Sequence, residues 1–252
     1  MKKLEITKPS TLDYAAREAL NRLRVNFTFC GDSFKKICVT SALSGEGKSF
    51  ISVNLAILLA EAGYKVAVVD ADIRKSQIRS EYGLKTEDDS HEGLLQYLVG
   101  KADINDIIYE TNYDNLYFVP DFRTVVNPAL LFQSDRFPVL LDSLAEQLDY
   151  VIVDTPPIAN VSDGEVIANS CDGALLVVRS GSTPRGLVGA SIKQLESAGC
   201  TLMGVVVNRI NLKSPAYYGK YYGGYYHGYY HGYYYYGDNH GKKGKKRKEN
   251  KK

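Results

Sequence analysis

The chain has 252 residues, 44% of them hydrophobic and 24% charged, enough for one α/β domain with a sizeable core and an appendage. Cys30, Cys38, Cys171 and Cys200 lack C-x-x-C spacing, which argues against a disulfide framework or a zinc site and for a reduced, cytoplasmic protein. The net charge of +2 hides an asymmetry: from Ser214 onward nine Lys/Arg face two Asp/Glu, a net of +7, while the preceding residues hold 22 basic and 27 acidic side chains, a net of −5. No window approaches the ~18 apolar residues of a membrane span, and the opening Met1-Lys2-Lys3-Leu4-Glu5 lacks the apolar core of a secretory signal. Any membrane role is expected to come through a partner.

In chain order, Leu12 to Asn26 reads as a helix with Ala15, Ala16, Ala19, Leu20 and Leu23 on its apolar face. Gly31-Asp32 breaks the chain before an apolar strand, Lys36 to Ser41. Residues 42–49, Ala-Leu-Ser-Gly-Glu-Gly-Lys-Ser, form a glycine-bearing turn, and a helix from Phe50 to Ala62 leaves it, closed by Gly63. Strand, Gly-Lys-Ser loop and helix in that order predict a phosphate-binding loop, although Ala42 stands where the strict pattern has glycine. Successive N–H groups of such a turn and the positive end of the helix dipole make an anion site.

A buried strand follows at Lys65–Asp70, with short helices expected over Gly93–Val99 and Ile104–Tyr109 and a strand over Leu116–Val119. Leu130 to Leu148 reads as helix with a break or restart at Pro138. Tyr150–Asp154, Ala174–Val178 and Met203–Asn208 complete the strands, and residues 185–198 supply a crossover helix. The alternation predicts an α/β fold: a doubly wound, mostly parallel sheet with helices on both faces. Tyr217 to Tyr236 then holds twelve tyrosines in twenty residues, and a Lys-rich end runs over 242–252. Gly, polar residues and no aliphatic side chains predict a disordered tail.

Ligands of open parallel sheets sit at the carboxyl ends of the strands. Those ends offer the loop at 42–49, Asp70 with Asp72, Asp154, and Asn208. Two residues apart on an extended chain, Asp70 and Asp72 can face one site. Mg²⁺ needs one or two carboxylates beside phosphate oxygens and water.

These residues resemble the bacterial protein-tyrosine kinases of the capsule and exopolysaccharide type, in their stand-alone form. The resemblance rests on the Walker A loop (42–49), the Walker A′ segment Val66 to Lys75, the Walker B strand Val151 to Pro157, the segment Asn127 to Leu131, and the tyrosine cluster. It implies ATP and Mg²⁺, held by Ser44, Gly45, Glu46, Gly47, Lys48, Ser49 and Phe50, with Asn208 and Arg209 at the adenine. Lys48 would hold the phosphates; Ser49, Asp72 and Asp154 would ligate Mg²⁺; Asp70 would orient or deprotonate the acceptor. The phosphoacceptors would be Tyr221, Tyr222, Tyr225, Tyr226, Tyr229, Tyr230, Tyr233, Tyr234, Tyr235 and Tyr236, labelled between subunits.

The resemblance divides the chain into an N-terminal helical segment (1–31), a kinase domain (32–213) and the tail (214–252). The family's ring-building Glu-x-x-Arg-x-x-Arg stands here as Glu18, Asn21 and Arg24, so the homo-oligomeric ring departs from pattern at Asn21. Expected partners are a membrane-embedded polysaccharide-copolymerase-like activator, a tyrosine phosphatase and other protein substrates, with recruitment to the inner face of the cell membrane and no nucleic acid. Two rivals compete. Positioning ATPases of the A′ architecture carry a lysine where this chain has Leu43, and a tyrosine-rich scaffold would bind nucleotide without transferring phosphate.

Overall fold

The computed structural model describes residues 2–31, 33–87, 91–159 and 161–211. The tyrosine cluster, the Lys-rich end and the boundary expected at 213/214 lie outside the described residues. The first half of the chain folds as β1 (Lys2–Ile6), α1 (Tyr14–Thr28), β2 (Lys36–Ser41), α2 (Lys48–Glu61), β3 (Val66–Asp70), α3 (Ile78–Tyr82), β4 (Leu84–Thr86), α4 (Leu94–Leu98) and α5 (Ile104–Ile107). The second half adds β5 (Tyr109–Thr111), β6 (Leu116–Val119), α6 (Ala129–Phe132), α7 (Arg136–Gln147), β7 (Tyr150–Asp154), α8 (Asp163–Asn169), β8 (Gly173–Arg179), α9 (Arg185–Ser197) and β9 (Thr201–Asn208).

The strands form one sheet in the order β4-β1-β5-β6-β3-β7-β2-β8-β9. Among the described residues only the β1/β4 and β5/β6 pairs are antiparallel; the central run from β6 to β9 is parallel throughout. Alternation along the strands separates two apolar layers. Val66 and Val68 of β3 face one layer with α1, α2 and α3, and Ala67 and Val69 face the other with α4, α7, α8 and α9. Both faces being covered, β2, β3, β7 and β8 read as unbroken apolar runs, as parallel strands do. The expected doubly wound, mostly parallel fold is the fold observed.

Local chemistry adjusts several boundaries. α1 begins at Tyr14 because the Asp13 carboxylate caps it, accepting the Ala16 N–H at 2.7 Å. The helix expected over Ile104–Tyr109 stops at Ile107, and Tyr109 instead opens β5. Its ring is fully buried and its hydroxyl donates to the Glu92 carbonyl at 2.8 Å, so tertiary packing decides its conformation. The break expected at Pro138 falls between α6 and α7; Pro138 lies in the first turn of α7, where a missing N–H leaves no helical bond unmade. All four cysteines are free thiols, with Cys38, Cys171 and Cys200 buried.

Candidate active site

β2 delivers the chain to the loop, and α2 carries it away. Ala42 is fully buried, and the left-handed φ values in the loop belong to Gly45 (+79°) and Gly47 (+92°), not to Ala42. A methyl group at the opening position is therefore tolerated, which explains why the strict glycine pattern is not needed. Gly47 is the N-cap of α2 and brings no side-chain cap, so the first-turn N–H groups and the dipole are available to an anion.

The acids gather because the central strands are in register. Asp154, at the end of β7, is the Cα partner of Asp70 on β3 and of Val39 on β2. Lys48, the first residue of α2, places its ammonium 2.8 Å from Asp72 Oδ2 and 3.5 Å from Asp154 Oδ2. Asp154 is fully buried and accepts from the Ser49 hydroxyl at 2.6 Å and the Ser52 hydroxyl at 2.9 Å. Asp70 is also buried; one oxygen accepts from the Ser76 hydroxyl, and Oδ1 has no hydrogen-bond partner.

Burial and charge pull these groups in opposite directions. Burial alone would lower the Lys48 pKa, but the Asp154 and Asp72 carboxylates more than offset it and hold the ammonium above the ordinary lysine value. Burial, and then the Asp154 charge, push Asp70 well above the carboxylate range against the Ser76 hydrogen bond. Burial likewise raises Asp154, opposed by Lys48 and the two serine hydroxyls.

A cavity of about 750 Å³ opens over this cluster. Ser44, Gly45, Gly47, Lys48, Ser49 and Phe50 line one side, Asp72, Arg74 and Lys75 another, and Asn208 with Arg209 a third. Asp70 and Asp154 lie beneath this lining, and the Glu46 side chain turns away from it. Asn208 is in contact with the loop, its Nδ2 donating to the Glu46 carbonyl at 2.9 Å. The tail tyrosines lie outside the described residues.

Several contributors were not singled out from sequence. Ser52 follows Ser49 by three residues on α2, so helical spacing alone puts both hydroxyls on the Asp154 side. Ser76 and Thr183 carry no pattern that marks them. Arg74 sits in the A′ segment; its guanidinium pairs with the fully buried Asp163 on α8, with Nη2 3.1 Å from Oδ1, and also donates to the Val126 carbonyl. The same guanidinium also reaches the Asn127 side chain, so Arg74 links α8 to residues 126 and 127.

The residues fit a divalent cation. The Ser49 hydroxyl, Asp72 and Asp154 converge where Lys48 now neutralises the two carboxylates, and Asp70 keeps an unpaired buried oxygen. Among the described residues no group of three or more His, Cys, Asp or Glu is arranged to hold a metal. An ion here would complete its shell with phosphate oxygens and water.

A family model described as an AAA domain matches residues 34–191. The tyrosine-protein kinase CpsD of Streptococcus agalactiae serotype III (strain NEM316) is 40% identical over 202 residues, covering 80% of this chain and 85% of that protein. The kinase domain of the Escherichia coli tyrosine kinase ETK superposes with a TM-score of 0.69 at 32% identity, covering 79% of each chain. The septum site-determining protein MinD complexed with Mg-ADP, from Pyrococcus horikoshii OT3, is more distant, with a TM-score of 0.58 at 26% identity and coverage of 70% and 71%. The fold is thus that of a nucleotide-binding phosphate-loop protein, shared with the tyrosine-kinase domain and, more distantly, with MinD. With two fifths identity across four fifths of its length to a named kinase, the chain belongs to the capsular and exopolysaccharide family of bacterial protein-tyrosine kinases.

Proposed function

We propose that this kinase binds ATP with Mg²⁺ at the 42–49 loop and transfers the γ-phosphoryl group to the tyrosine cluster of a neighbouring subunit, Tyr221 to Tyr236. The observation that carries the reading is the Lys48 ammonium, held between Asp72 and Asp154 on the wall of a cavity edged by the phosphate loop. Phosphoryl transfer demands chiefly in-line positioning and charge neutralisation. Lys48 and the first-turn N–H groups of α2 provide neutralisation at the phosphates. Ser49, Asp72 and Asp154 would hold Mg²⁺, which would supply charge neutralisation at the phosphates. Asp70, with its raised pKa, is suited to take the phenol proton as the new O–P bond forms. Asn208 and Arg209, on the cavity wall, would contact the base.

Among the described residues no helix is long and apolar enough to cross a membrane. We infer that activation and membrane recruitment come through a membrane-embedded polysaccharide-copolymerase-like partner, that a phosphatase reverses the labelling, and that this cycle regulates capsule or exopolysaccharide synthesis. The exposed face of α1, with Glu18 and the 74% exposed Tyr14, would serve subunit association. Each phosphate adds about −1.5 to −2 charge, so roughly four would cancel the +7 of residues 214–252 and loosen the assembly.

Purified chain incubated with Mg-ATP tests the reading through phosphotyrosine detection. Labelling should appear in the full chain, vanish in Lys48→Met, and vanish without residues 214–252 while nucleotide binding survives that truncation. Labelling that persists in purified Lys48→Met would refute kinase activity at this site.

A further inference from the structure

Glu46 lies inside the phosphate loop, yet its side chain is turned from the cavity and the residue is only 3% exposed. One carboxylate oxygen accepts the Leu43 N–H at 2.8 Å, at the start of the loop. The other accepts the Thr183 hydroxyl, from the connection between β8 and α9, and, at 3.4 Å, the Arg179 N–H at the end of β8. The Glu46 carbonyl in turn accepts from Asn208 Nδ2 at the end of β9. One loop residue is thereby tied to two neighbouring strand ends.

The partners of this carboxylate among the described residues are backbone N–H groups and a hydroxyl, not a cation. Its charge alone opposes a polyphosphate. A favourable contribution to binding must therefore come through loop shape. We propose that Glu46 is a positioning residue of the nucleotide site, fixing the phosphate loop by bracing it against Thr183 in the β8–α9 connection. The inference rests on the reading of the loop as the nucleotide site.

Bracing and electrostatics give opposite signs on substitution. If charge dominates, Glu46→Ala tightens nucleotide binding. If bracing dominates, it weakens binding, and Glu46→Gln loses less, because the amide keeps one acceptor oxygen and can donate to Thr183 Oγ1. Thr183→Val removes the brace and leaves the charge in place.

The test is Mg-ADP titration of the full chain by calorimetry, with thermal melting without nucleotide as the control for folding. Glu46→Ala should weaken Mg-ADP about tenfold, and Glu46→Gln and Thr183→Val about threefold each. The double variant Glu46→Ala/Thr183→Val should match Glu46→Ala, since both remove one interaction. In turnover the loss should fall on KM for ATP, with kcat unchanged within about twofold. Binding by Glu46→Ala or Thr183→Val as tight as the parent, or effects that add, would overturn the proposal. A parent chain that does not bind Mg-ADP would instead overturn the nucleotide reading itself.

Discussion

Lys48→Met, the natural choice for an inactive control, should also be a stability variant. Lys48 is the cation of a buried cluster, 2.8 Å from Asp72 and 3.5 Å from Asp154, with a side chain only 12% exposed. Removing one partner of such a group leaves uncompensated buried charge and costs about 3–5 kcal/mol. Urea denaturation without nucleotide measures it: with a slope of about 2–3 kcal/mol per M, the midpoint should fall by about 1–2 M at pH 8. The pH dependence fixes the cause. Asp70 and Asp154 already have raised pKa values with Lys48 acting to lower them, so removal raises them further. The native variant then binds more protons than the unfolded chain, and its stability falls as pH rises. The deficit should be largest at pH 8 and shrink towards pH 5. An unchanged midpoint at pH 8, or a deficit that grows on acidification, would refute the buried-cluster argument.

Gly47→Ala should lose Mg-ADP affinity by more than about tenfold, since φ is +92° and the new Cβ would collide with Asn208 Nδ2. Adding Asn208→Ala removes the collision but leaves the backbone strain and takes away a proposed base contact, so affinity should not return to the parent value; full recovery would discount both the left-handed φ and that contact. Burial raises Asp121 from 3.8 to about 6 against the N–H bonds of Leu95 and Arg123. The folded state then binds the extra proton, so this group lowers stability by about 3 kcal/mol as pH rises from about 4 to 6. Asp121→Asn should flatten that part of the denaturation profile, and an unaltered slope counts against the assignment. Arg74→Ala strands the fully buried Asp163 and should cost about 3 kcal/mol, or about 6–12 °C in Tm, read by calorimetric melting. A shift below about 2 °C would mean that the pair is not formed.

The central sheet was legible because parallel strands covered on both faces spell themselves as unbroken apolar runs: Val66 to Val69, Val151 to Val153, Leu175 to Val178. The loop was legible because its glycines and lysine serve backbone geometry and charge, which are local. Edge elements were not. At that end of the sheet β1 is five residues long and β4 three, so β4 depends on its pairing with β1, and β1 on its pairing with both β4 and β5. Within the site, sequence brought the acids together but could not reveal depth. Asp72 reaches the cavity wall, Asp70 and Asp154 lie beneath it, and Glu46 faces the end of β8, 133 residues away in sequence.

The same cluster sets how nucleotide and metal depend on one another. With Asp70, Asp72 and Asp154 all ionised, three carboxylates against one ammonium leave a formal charge of −2 at the strand ends. A polyphosphate that takes up Lys48 withdraws it from Asp72 and Asp154, which then face phosphate oxygens as like charges. At separations of about 4 Å each such contact is unfavourable by about 1–4 kcal/mol, depending on the effective dielectric. A divalent cation on Ser49 and the two carboxylates cancels the repulsion, so on the proposed reading each ligand strengthens the other by the same factor. ADP titrated in EDTA should therefore bind at least about tenfold more weakly than ADP with Mg²⁺. Mg²⁺ should also bind more tightly with ADP present, by a matching ratio. Equal ADP affinities in the two buffers would mean that Lys48 satisfies the phosphates without leaving the acids unpaired, and the −2 edge would then have no part in selecting a metal-bound nucleotide.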